Sequence, residues 1–138
     1  MKKHVFLSIL LLGFLASCIN SDLPNVDGMW QLKTIETPSG HTQTVDTAYY
    51  SFQAQQLFAF TQLNTGPWQF EPTYVMYGYV DFPDKDHLHI FLDPAHIGMF
   101  NLLPPWQMED VTYFIRKLTS KEMILENQGD SIYRFIKF

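Results

Sequence analysis

The sequence predicts an all-β fold, a single eight-stranded antiparallel up-and-down sheet that closes into a barrel. Three observations predict it. From Gly28 onward apolar residues recur with period two, as they do on half-buried strands. Turn-forming clusters interrupt that alternation at short intervals and leave eight strand-length segments. No segment after Phe14 carries a helical stripe, although Met99–Met108 has room for one turn. A meander of this kind has two open edges unless its first and last strands pair, and closure abolishes them. An open β-sandwich of similar strand count is the alternative fold.

The elements follow in chain order. Gly28–Glu36 is the first strand, with Trp30, Leu32 and Thr34 on one face, and Thr37-Pro38-Ser39-Gly40 ends it. Thr47–Ala54 carries Tyr49, Tyr50 and Phe52, and Gln56–Leu63 carries Leu57, Phe58 and Phe60. Asn64-Thr65-Gly66-Pro67 turns the chain into Thr73–Phe82, rich in tyrosine and valine. A polar turn at Pro83–Asp86 leads to His87–Leu92, where Leu88, Ile90 and Leu92 face alike. The last three strands, Val111–Leu118, Glu122–Glu126 and Ser131–Lys137, are joined by two connections of hairpin length.

The chain has 138 residues, 46% of them hydrophobic and 16% aromatic, enough for the core of one domain and too few for two. Its single cysteine excludes an internal disulfide and a cysteine-based zinc cluster. Formal charge is −5 and no basic stripe is present, which argues against nucleic acid as a partner.

The N-terminus reads as an address. Met1-Lys2-Lys3-His4 is cationic, and Val5–Phe14 is a ten-residue apolar run, too short to span a bilayer and suited to a secretory signal. Leu15-Ala16-Ser17-Cys18 resembles a bacterial lipobox, which implies cleavage after residue 17 and acylation of Cys18. Cleavage removes Lys2 and Lys3 but no acidic residue, so the mature chain is more acidic still and is held by its lipid rather than its surface. Ile19 after the cysteine favours, by the same resemblance, the outer membrane of the cell envelope. Residues 18–27 then form a lipidated tether and 28–138 the folded domain.

Gly28-Met29-Trp30, opening the first strand of an eight-strand meander, resembles the Gly-x-Trp element of lipocalins. The run from Phe114 to Thr119, Met123-Ile124-Leu125 and Tyr133-Arg134-Phe135 is similar to small lipocalin-like lipoproteins of gut Bacteroidota. The resemblance implies a barrel floor made by Gly28 and Trp30, with an arginine of the last strand over the indole. Arg134 is the matching residue, with Arg116 second. It also implies a small apolar or amphipathic ligand, no cofactor and no catalysis.

Signals of chemistry are sparse. No nucleophile elbow, zinc-protease motif, P-loop or dinucleotide fingerprint occurs. The neighbouring carboxylates Glu109 and Asp110 point apart on a strand, and Glu36 with Asp46 reads as exposed charge. His87 and His89 project from one strand face beside Asp84, Asp86 and Asp93, as two ligands of a metal would, but no third ligand has a fixed position and a solvated face beside a polar turn accounts for them better, so no metal is expected. Asp93–Asp110 is long for a connection and apolar, with Phe100, Leu103 and Trp106. It reads as a flap over one barrel mouth, serving as a ligand lid, a partner-binding patch or a structural plug. Tyr77 and Tyr79 add aromatic surface for a ligand. Two functions emerge: a membrane-tethered ligand-binding barrel, or a filled structural barrel that docks onto another envelope protein.

Overall fold

The computed structural model describes residues 22–63, 74–93, 95 and 110–138. Eight strands follow one another around a closed antiparallel barrel: β1 (Gly28–Glu36), β2 (Thr42–Gln53), β3 (Leu57–Gln62), β4 (Tyr74–Asp84), β5 (His87–Leu92), β6 (Asp110–Leu118), β7 (Glu122–Asn127) and β8 (Ile132–Lys137). Each pairs with its sequence neighbours, and β1 pairs with β8 to complete the ring, Leu32 lying opposite Phe135. The open sandwich is thereby excluded. No edge strand is left unpaired.

Alternation places one apolar set inside. Leu88, Ile90 and Leu92 of β5, Met76 and Val80 of β4, and Tyr133 and Phe135 of β8 are all buried. Tyr50 of β2 meets Phe135 of β8 with ring centroids 4.7 Å apart, although β1 lies between those strands. It also packs edge-on against Phe58 and Phe60 at 5.4 and 5.8 Å. Side chains from β2, β3 and β8 therefore pack together over β1 at this level.

Two details differ from the sequence expectation. The register of β1 shifts between Leu32 and Thr34 on both sides, so Ile35 rather than Thr34 turns inward. β2 starts at Thr42, not Thr47, because its first residues are exposed and show no alternation, and Asp46 within the strand has φ of 57°.

The two ends of the barrel are built differently. One end holds the entry of the chain at Gly28, its exit at Lys137, and the short connections 54–56, 85–86 and 119–121. The opposite end holds the connections 37–41 and 128–131, the last residues of β3 and β5 and the first residues of β4 and β6.

Candidate functional site

At the short-loop end the first strand begins against a floor. Trp30 is 1% exposed, and its indole Nε1 donates to the carbonyl of Val26 at 2.7 Å. The Lys137 ammonium stands 4.3 Å from the centre of the Trp30 ring and donates to the carbonyl of Asp27. Asp27 in turn accepts from the Gln55 amide at 2.9 Å, which ties the incoming chain to the β2–β3 turn. Gly28 has φ of +116°, and a Cβ there would lie 2.7 Å from Lys137 Cε, so a side chain would displace the cation.

Here the expectation for Arg134 is corrected. Pairing of β1 with β8 sets Lys137 opposite Trp30 and Arg134 opposite Thr34. Tyr133, Phe135 and Lys137 share the inward parity of β8, whereas Arg134 points out and reaches Glu36 at 3.5 Å. Arg116, the second choice, also lies outside and pairs with Glu126. The floor cation is a lysine.

Toward the end opposite the floor the apolar interior acquires hydroxyls. Tyr50 and Tyr113 hydrogen-bond to each other, and the Tyr113 and Tyr133 rings meet edge-on at 5.4 Å. Asn127, the last residue of β7, donates to the Tyr133 hydroxyl at 3.1 Å. Burial raises the pKa of Tyr50 and of Tyr113 far above the ordinary tyrosine value, so both remain neutral hydrogen-bonding groups. Burial also raises that of Tyr133, partly offset by Asn127. Sequence reasoning missed this cluster, because a buried and an exposed tyrosine look alike until strand parity is known.

The remaining candidates sit elsewhere. Tyr77 and Tyr79 lie on the outer surface, 57% and 46% exposed, and Tyr79 stacks on Phe91. They flank an open depression of about 450 Å³ lined also by Ser51, Leu57, Ala59 and Asp93. They do not line the barrel interior. Phe100, Leu103 and Trp106 of the expected flap, and Cys18, lie outside the described residues.

His87 and His89 project outward as expected, each into a carboxylate. His87 Nδ1 is 2.8 Å from Asp84, and that contact is the main reason the Asp84 carboxyl is held below its usual value. His89 bridges two strands, with Nδ1 2.9 Å from Asp81 and Nε2 2.6 Å from Asp110. Partial burial disfavours its cation, but the bonds to Asp110 and Asp81 outweigh that and raise its proton affinity. With a carboxylate at each nitrogen the ring bridges β4 and β6 and turns no free lone pair toward a metal. Among the described residues no three His, Cys, Asp or Glu side chains converge as ligands.

Comparison with known proteins agrees with this architecture. A family model described as a lipocalin-like domain matches residues 12–138. Among solved structures, an uncharacterized protein from Bacteroides eggerthii is 28% identical, with a TM-score of 0.68 over 81% of this chain and 98% of that one. A lipocalin-like protein from Bacteroides uniformis is 22% identical, with a TM-score of 0.70 over 86% of this chain and all of the other, a likeness of fold alone. A comparison with curated proteins finds no match.

Proposed function

We propose, from the premise that the chain belongs to the lipocalin-like domain family, that it is a lipid-anchored, non-catalytic binding module of the bacterial outer membrane. It receives one small apolar or amphipathic molecule through the end of the barrel opposite the floor. The observation that carries this reading is the difference between the two ends. The floor is sealed by Trp30, Lys137 and the tethered Val26, which leaves no need for a second cover there. The opposite end, where β3 and β5 finish and β4 and β6 begin, has the Tyr113, Tyr133 and Asn127 polar groups beneath it. An amphipathic guest would set its tail among aliphatic residues such as Leu88 and Ile90 and its polar end near the tyrosine hydroxyls.

A dansylated undecanoic acid titrated into the full chain tests this. Saturable emission enhancement at one site per chain is expected, weakened at least threefold by Tyr113→Phe. Emission that rises without saturation, or that ignores the substitution, refutes it.

A second reading keeps the anchor but fills the barrel. The hydrogen bond of Tyr50 on β2 to Tyr113 on the opposite strand β6 favours it, since no guest can pass that level without repacking. On that reading the working surface is outside, and the fatty acid does not bind.

A further inference from the structure

The outer surface of the barrel is divided by charge. From Met29–Gln31 across Tyr49–Gln53 and Leu57–Thr61 to Val75–Tyr79, adjoining stretches of four paired strands contain no charged residue, with Lys33 and Asp46 beyond them on β1 and β2 and Asp93 at the rim beside Tyr77 and Tyr79. Met29, Leu57, Tyr77, Tyr79 and the terminal Phe138 are all more than 40% exposed there. Two depressions mark the same face, the one beside Tyr77 and Tyr79 and a smaller one of about 240 Å³ between Met29, Tyr49, Leu63 and Phe138. The ion pairs lie around these stretches: Lys33–Asp46 further along β1 and β2, then Asp84–His87, Asp81–His89–Asp110, Arg116–Glu126, Lys117–Glu122 and Arg134–Glu36. Exposed apolar side chains gathered on one side of a barrel mark a surface for interaction.

We infer that this uncharged β1–β4 face lies against the lipid surface to which the chain is anchored, with its tyrosines at headgroup level. The inference rests on acylation of Cys18, the anchor proposed above. Three features select lipid as the occupant. The chain enters at Gly28, beside this face, and Asp27 is bound to Gln55 of the adjoining β2–β3 turn, so the tether leaves from the face's own edge. Residues 19–25 span at most about 25 Å even when extended, which keeps the barrel against the bilayer. Tyrosine and methionine side chains without formal charge suit the boundary between headgroups and acyl chains. A second copy is a poorer occupant, because the chain carries a formal charge of −5 and like bodies repel.

The test uses the full lipidated chain on vesicles of palmitoyloleoylphosphatidylcholine. Tyr77→Cys on this face and Phe114→Cys on the charged face each carry a nitrobenzoxadiazole label. The label at 77 is expected to shift to the blue and brighten at least twofold on vesicles, while the label at 114 keeps its aqueous spectrum. Adding Leu57→Glu and Tyr79→Glu should abolish the change at 77 with the protein still on the vesicles. Aqueous spectra at both positions on vesicle-bound protein overturn docking and leave the anchor standing. Protein that never partitions onto vesicles overturns the anchor and the docking with it. A blue shift without vesicles overturns the lipid assignment, pointing to a second copy if it grows with concentration and to the chain's own connections if it does not.

Discussion

Replacing Lys137 with Gln asks whether the floor is closed by the cation seen above Trp30. The substitution removes an ammonium 4.3 Å from the indole centre and its hydrogen bond to the Asp27 carbonyl. A cation–π contact contributes about 0.5–2 kcal/mol, and a hydrogen bond from a charged donor about 1.5–3 kcal/mol when buried. Lys137 is only half-buried, so solvent screening brings the expected loss to about 2 kcal/mol. For a domain of this size that lowers the melting temperature by roughly 8 °C. Arg134→Gln, which breaks only a surface ion pair with Glu36, should cost under about 1 kcal/mol. Urea unfolding followed by circular dichroism measures both. Combining Lys137→Gln with Trp30→Leu should give a coupling energy of about 1 kcal/mol, since the second substitution finds the contact already gone. An Arg134 variant as unstable as the Lys137 variant, or zero coupling with Trp30, would refute the argument.

Three further outcomes are expected. Ala54 and Gln55 hold the β2–β3 turn with φ of 53° and 54°, and the Gln56 amide donates to the Gln53 carbonyl, a geometry that prefers glycine second; Gln55→Gly should raise the free energy of urea unfolding by about 0.5–1 kcal/mol, and a lower midpoint would contradict it. Gly78→Ala would set a Cβ 2.8 Å from Leu92 Cα and against the Phe91 carbonyl, so a loss of about 2 kcal/mol or more is expected in the same assay, and tolerance would mean β4 and β5 lie further apart. Because the folded His89 binds its proton more tightly than the ordinary value of 6.5, its bridge is complete below that pH and fades as pH rises through the folded value. The destabilisation by His89→Gln should accordingly be larger at about pH 6 than at about pH 9, and an equal or reversed effect would exclude the bridge.

The fold was legible because burial is one-sided. Leu88, Ile90 and Leu92, or Tyr133 and Phe135, announce both the strand and its inner face. The start of β2 was not, since Thr42, Gln43 and Thr44 bury nothing that would impose alternation. Thr34 was assigned inward because a register shift leaves no local mark in sequence, and it shifts the alternation by one place. The floor illustrates the same limit and its remedy. Family likeness pointed to Arg134, yet the parity of Tyr133 and Phe135 already placed Arg134 outside and Lys137 inside. The uncharged outer face could not be seen in advance, because its members lie on four strands and adjoin only through the barrel's register.

The central claim is that the barrel takes its guest inside, between the tyrosines, and keeps its uncharged wall for the membrane. Tyrosine ring chemical shifts of the full chain, recorded as undecanoic acid is added, test it most directly. The account predicts that Tyr50, Tyr113 and Tyr133 move together and saturate while Tyr77 and Tyr79 stay still. Movement confined to Tyr77 and Tyr79 would contradict it and place the site on the outer wall.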